Sequence, residues 1–395
     1  MTTRLALGLS IAVMLGTAGC HDQGTEPASL PGSLTADAAT SALVAQNRIA
    51  RGKLELPRGV RIADGGWPDL TRRAIDPNDH VCPAEPSPAF AWFDDQVQDI
   101  IDREPATFDL LYNGLWADLI PFWESLFFLT EQRHQEFGFE GDFSNVMVRT
   151  HRDAQRFWDI ASDDIQLIAL KGTMLLDVER VARTYELPQI PPFFGLSEQD
   201  ARAVAALIRT TLLESETLHR GDHPLFSMNA FADPGDGTAP PRIVMGDGLL
   251  EAYAAVGLGD VAPQTIYAHE FGHHIQFRNG YFEEDEVPGA TTDAEFTRYF
   301  ELMADAYSAY YLTHKRGAAM NRHRVEQFLE TSYQAGDCGF GDAGHHGTPN
   351  QRRRAAAFGF ELAASAQRQG HILTSEQLHD RFVAAYAGIV APDAT

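Results

Sequence analysis

The sequence predicts an α+β protein that is mostly helical and carries a small sheet. Three observations lead there. Apolar residues recur at three- and four-residue intervals through most of the chain beyond residue 90. Helix signals punctuate those stretches as Ser/Thr caps, first-turn prolines and terminal glycines. The best strand candidate is a single short β-branched run, 242–246 (Arg-Ile-Val-Met-Gly). No internal repeat is present.

The chain has 395 residues, with 44% hydrophobic and 22% charged residues, a composition that excludes wholesale disorder. Its length suits one large domain or two smaller ones. Lys and Arg number 31 against 55 Asp and Glu, for a net charge of −24. That excess of acid argues against a nucleic-acid partner and against docking by charge on an anionic membrane.

The elements follow in order. Residues 1–19 contain one Arg ahead of a mostly apolar run that ends in small residues, the pattern of an export signal peptide too short to span a bilayer stably. Thr17-Ala18-Gly19-Cys20 resembles the bacterial lipoprotein lipobox, with Thr17 in place of the commoner Leu. The resemblance implies cleavage before Cys20 and a lipid anchor there. The protein is then a cell-envelope lipoprotein, or a secreted protein if Cys20 is not lipidated. Residues 20–47 read as a flexible tether. Residues 48–228 read as a mostly helical N-terminal region, and 229–395 as a second domain. Cys82 and Cys338 either pair across the chain in an oxidising compartment or stay as two buried thiols.

Within the N-terminal region, 93–101 is amphipathic and 110–129 is aromatic-rich and buried. A helix is expected from Ser162 as N-cap, with Ile165, Ile168, Ala169, Gly172, Leu175 and Leu176 at helical spacing. Ser197 with Asp200 opens another. Residues 229–241 read as a loop and 242–246 as the strand that leaves it. Pro263 sits at a helix start and Asn279-Gly280 at its stop. Thr292 with Glu295, and Thr348 with Gln351, form capping boxes, and a last helix starts at Ser375.

The helix beginning at Pro263 contains His269-Glu270-Phe271-Gly272-His273. Histidines four apart lie on one helix face, so both imidazoles reach one ion. Glu270 is turned about 100° from His269 and can address a water on that ion. Glu301 and Asp305 lie four apart on the next expected helix. Burying two imidazoles and a carboxylate among Ile266, Phe277, Phe300, Met303 and Tyr307 without a cation would be costly.

Glu301-Leu302-Met303-Ala304-Asp305 following the HExxH pattern resembles the gluzincin metallopeptidases. With His346-Gly347-Thr348-Pro349-Asn350-Gln351-Arg352, the chain over roughly 243–354 is similar to the bacterial neutral zinc metallopeptidase family. The long N-terminal region has no counterpart there. The resemblance implies a zincin-like domain and a Zn2+ ion held by His269, His273 and Glu301. Asp305 would hydrogen-bond a ligand histidine. A three-ligand zinc brings its bound water's pKa toward about 7, so Glu270 can act as general base in peptide-bond hydrolysis. The oxyanion needs another donor, for which His346 is the first candidate, followed by Tyr299 and Arg352. Gluzincins resemble one another in an edge strand upstream of the zinc helix, here 243–245, which could hold an extended peptide.

Other clusters carry less. His219 and His223 sit among loop residues. Asp233-Pro234-Gly235-Asp236-Gly237 lacks the alternation of a calcium loop. Glu283 to Glu286 reads as a solvated loop, and His274 points off the metal face. The expected function is a zinc metallopeptidase acting on peptide or protein substrates. The alternative is a catalytically inactive zincin-like scaffold, and the endo- or exopeptidase distinction stays open.

Overall fold

The computed structural model describes residues 86–393, with breaks at 129–134, 188–194, 237–238, 284–286, 288–289, 291, 337–344 and 370, together with Thr40, Leu43, Val44 and Asn47. The signal peptide, Cys20, Cys82 and Cys338 lie outside the described residues. Thr40, Leu43, Val44 and Asn47 are helical. Val44 joins the main core, and Asn47 Nδ2 donates to the Gly114 carbonyl at 2.8 Å. The end of 20–47 is thus part of the fold rather than a flexible tether. Its Leu-Val pair buries apolar area that an averaged composition conceals.

Helix α1, Pro88–Arg103, buries Phe90, Phe93, Val97 and Ile100 along one stripe, as its sequence period requires. The expected buried stretch at 110–129 is broken into a π-turn at Asp109–Gly114, a 3-10 turn at Ala117–Leu119 and α2, Ile120–Phe127. A run that is apolar all round fixes no single period, and Pro121, lacking an N–H, suits a helix start and not an interior. Helix α3, Ser144–Phe157, follows.

The helix expected from Ser162 is instead strand β1, Gln166–Leu170, followed by a 3-10 turn at Gly172–Leu176. Leu167-Ile168-Ala169-Leu170 is buried on both faces, so its apolar run is continuous and satisfies a strand period as readily as a helical one. Helix α4, Val178–Tyr185, is capped by the Asp177 side chain, and α5, Glu198–Glu214, by Ser197 as expected.

The segment expected as a loop contains strand β2, Ala230–Asp233, which pairs antiparallel with β3, Arg242–Gly246. Alanines give a strand little local signal, and the pairing comes from tertiary contact. Strand β1 pairs parallel with β3 in register Leu167↔Ile243 and Ile168↔Val244. The order is β1-β3-β2, so 242–246 is the central strand and not the edge. One face of the sheet places Ile168, Leu170, Phe231 and Val244 under Phe122 of α2. The other places Leu167, Ala169, Ala230, Ile243 and Met245 in the main core. Sheet and core therefore take residues from both sides of position 228.

Helix α6 spans Asp247–Ala255, α7 Ala262–Asn279, α8 Asp293–Thr313, α9 Arg322–Gln334, α10 Pro349–Gln369 and α11 Ser375–Ile389. Gly280 ends α7 at φ +73°, and the capping boxes at Thr292 and Thr348 form as expected. Helices α7 and α8 are buried nearly all round. They approach closely because Gly272 has no side chain: a Cβ there would stand 3.0 Å from Ala304 Cα. Helix α10 docks on α8 the same way, and a Cβ at Gly359 would meet the Ala306 carbonyl at 2.2 Å. Among the described residues, no helix is long and apolar enough to cross a membrane.

Two predictions follow from this packing. Gly359→Ala forces a methyl against backbone and should cost roughly 1–3 kcal/mol or more in urea unfolding. Gly280→Ala, in open space and strained only by its left-handed backbone, should cost about 1 kcal/mol. Equal losses in the two variants would refute the close helix approach.

The second concerns pH. Burial lowers the pKa of His151, which lies 2.7 Å from the Tyr267 hydroxyl on α7, to about 4. Burial, chiefly, does the same to His223. Because both folded values lie below the ordinary 6.5, stability is complete above that pH and falls as pH drops toward 4. Each histidine can contribute on the order of 1–3 kcal/mol. His151→Asn, which does not titrate, should show a shallower fall of the urea midpoint between pH 7 and 5.

Candidate metal centre

His269 and His273 are one turn apart on α7, and Glu301 comes from α8 across the Gly272–Ala304 contact. All three are buried. His269 Nε2 stands 3.1 Å from Glu301 Oε2 and 3.2 Å from His273 Nε2, and His273 Nε2 stands 3.5 Å from Glu301 Oε1. A tetrahedral ion with bonds of about 2.0–2.1 Å separates its ligands by about 3.3 Å, so the three atoms fit one ion. They form the one group of metal-capable side chains among the described residues.

Asp305 lies one turn beyond Glu301 and meets the far side of His269, with Oδ1 3.0 Å from Nδ1. A carboxylate accepts, so Nδ1 donates, and Nε2 is the nitrogen turned toward Glu301 and His273. Arg352 of α10 grips Asp305 with two parallel bonds of 2.8 Å, Nε to Oδ2 and Nη2 to Oδ1. Its Nη1 donates to the Ala335 carbonyl at 3.3 Å. Arg352 is therefore engaged behind the histidine and orients Asp305, which corrects its candidacy as a donor to the reacting carbonyl.

The pKa shifts follow from this crowding. Burial alone would lower the His269 value, but hydrogen bonds from Asp305 and Glu301 raise it to about 10. Burial lowers His273 to about 4. Burial would raise Glu301 and Asp305. The charge of His346, then His273 and His269, holds Glu301 well below the usual carboxylate range instead, and Arg352 does the same for Asp305. For Glu270 burial prevails: it raises the carboxyl to about 7 against the opposing charges of His269, Arg352 and His346, and Oε2 makes no hydrogen bond.

The donor set tests whether a divalent ion belongs here. Glu270, Glu301 and Asp305 are three buried carboxylates facing one buried guanidinium, Arg352. Two negative charges are left over when all are ionised, and a divalent cation cancels them. Two imidazoles and one carboxylate are also a donor set that zinc accepts.

His269, Glu270, Glu301, Asp305 and Arg352 line a cavity of about 60 Å³ whose remaining walls include Met228, Ala230, Leu249, Tyr253 and Ile266. His346 lines it too, beside Glu270 and Glu301. Its loop turns into α10 through Gly347 at φ +100°. Tyr299 does not: its ring packs on Phe300, Phe382 and Tyr386, and its hydroxyl lies 3.4 Å from His379. His274 points off the ligand face as expected, with Nε2 2.9 Å from the Arg242 carbonyl of β3. His223 Nδ1 accepts from the Leu225 amide, so the His219–His223 cluster forms no site.

Two residues of the site carried no assigned role in the sequence. Gln276 approaches His273, and its i+3 spacing from that histidine was the available signal. Tyr253 lies upstream of the motif helix and has no local pattern to mark it.

No protein family, curated protein or solved structure matches this chain. The site therefore stands on its own geometry.

Asp305→Asn should weaken binding of a divalent ion by about 10–100-fold, because the amide can present the wrong group to Nδ1 and loses the Arg352 pairing. Competition against a chromophoric chelator measures this. An unchanged affinity would show that Asp305 does not orient the ligand.

Proposed function

We propose that this protein is a zinc metallopeptidase with His269, His273 and Glu301 as ligands and Glu270 as general base. The observation that carries the reading is the placement of the buried Glu270 carboxylate, whose Oε2 makes no hydrogen bond, in the same small cavity as His269 and Glu301, two of the three converging ligands. A structural metal site closes its coordination with protein, whereas a catalytic one keeps an open position beside a proton acceptor. The cavity supplies both.

Bound zinc supplies Lewis acidity and an activated water. Glu270 would serve as general base, holding a proton on its carboxylate and passing it to the leaving amine. Its apolar surroundings keep the carboxylate from being solvated and raise its basicity. Asp305 and Arg352 hold the His269 ring through its Nδ1 proton. His346, on the cavity wall, is positioned to donate toward the developing oxyanion.

The edge-strand role passes from β3 to β2. Strand β2 is at the sheet edge, and Ala230 with the preceding Met228 lines the cavity. An extended peptide paired along β2 would run past Glu270, gaining affinity from main-chain hydrogen bonds. The export signal and Cys20 support work at the cell envelope from a lipid anchor.

Glu270→Gln should keep its zinc while losing about 10²–10⁴-fold in kcat/KM on a peptide library. Activity that survives the substitution would refute the mechanism. Zinc held by both forms with cleavage by neither would favour the scaffold reading.

A further inference from the structure

We propose that Gln276 is a positioning residue of the metal centre: its amide holds His273 in the tautomer that presents Nε2, and ties that ring to the helix bearing Glu301. The inference rests on the reading of His269, His273 and Glu301 as metal ligands.

Gln276 is fully buried on α7, one turn beyond His273. Its Nε2 lies 2.8 Å from the Phe300 carbonyl and its Oε1 2.9 Å from His273 Nδ1. A carbonyl can only accept, so the end of the amide facing Phe300 must be the NH2 group. The end facing His273 is then the amide oxygen, which also can only accept. Nδ1 must therefore carry the hydrogen. A neutral imidazole has one N–H, so Nε2 keeps its lone pair. This is the atom that faces His269 Nε2 and Glu301 Oε1. One backbone carbonyl thus dictates, through a single side chain, which nitrogen of His273 is free to ligate.

The same amide sets the relation between the two helices. Phe300 directly precedes Glu301, so the bond fixes the height of α8 against α7 at the level of the ligands. His269 and His273 are oriented by different chemistry. Asp305 brings a charge that Arg352 neutralises, whereas Gln276 is neutral. A carboxylate at 276 would add a fourth buried negative charge with no second guanidinium, and would remove the side-chain donor from the Phe300 carbonyl. An apolar residue would strand Nδ1–H and break the tie to that carbonyl.

The test uses the full chain and reads zinc affinity by chelator competition, with thermal unfolding of each metal-free protein alongside. Gln276→Leu should weaken zinc binding about 10–100-fold and shift the visible absorption of the cobalt-substituted protein. Gln276→Glu, which retains an acceptor for Nδ1–H, should keep more affinity than Gln276→Leu. A folded Gln276→Leu with the affinity and cobalt spectrum of the wild type would overturn the proposal, even with a lowered melting temperature. Should that variant fail to fold, the long-range proton–nitrogen spectrum of imidazole-labelled wild type decides, with His273 assigned by its loss in His273→Gln. A proton on Nδ1 is expected, and a proton on Nε2 overturns the assignment. Wild type that takes up no zinc removes the ligand reading and this proposal together. Wild type that binds zinc, with an unaffected Leu variant, removes this proposal alone.

Discussion

Three carboxylates and one guanidinium buried between α7, α8 and α10 set the terms for the rest of this structure. Such a group is tolerable only if most of its oxygens have partners and the surplus charge is cancelled. Partnering requires that the helices come close, and closeness is provided by small residues: Gly272 against Ala304, and Gly359 against Ala306. The sub-4 Å spacing of the ligand atoms follows from those contacts, because side chains of fixed length on helices farther apart could not converge. The link from sequence to chemistry therefore runs through glycines that touch no metal.

The long region before residue 229 contributes to this arrangement from outside the motif. Strand β1 completes the sheet on which α7 rests, and His274 ties α7 to β3 through the Arg242 carbonyl. His151 of α3 reaches the Tyr267 hydroxyl two residues before the first ligand. Lys171, following β1, pairs with Asp247 at the start of α6, and that carboxylate also accepts the Gly138 amide at 2.8 Å. Helix α7 is thus held on several sides by residues distant in sequence. A ligand helix clamped in this way loses little entropy on taking up an ion, which favours binding.

Much of the site was legible in the sequence, because helical period translates directly into geometry. His269 and His273 four apart, and Glu301 and Asp305 four apart, lie where spacing alone puts them. The caps at Ser197, Thr292 and Thr348 were legible for the same reason: each depends on residues three apart. What escaped was non-local. Leu167 to Leu170 is a strand only because β3 lies beside it, and Ala230–Asp233 only because β3 accepts it on the other side. Arg352 reads as a free donor until Asp305 is seen to hold it. Gln276 sits in plain view at the right spacing, yet its role depends on a carbonyl from another helix.

Electrostatics separate the site from the surface around it. The chain as a whole carries −24, so its long-range field concentrates cations and repels polyanions. Inside the cavity the balance differs, since a divalent ion brings the three carboxylates and Arg352 to neutrality. A field that gathers cations from solution and a pocket with more carboxylates than guanidinium act in the same direction on metal uptake. Once the ion is held, the local attraction for further cations is spent, and the walls of Met228, Leu249 and Ile266 present a largely neutral surface to whatever enters next. On the proposed reading, the basicity of Glu270 comes from its burial, which raises the carboxyl to about 7 against the opposing charges of His269, Arg352 and His346.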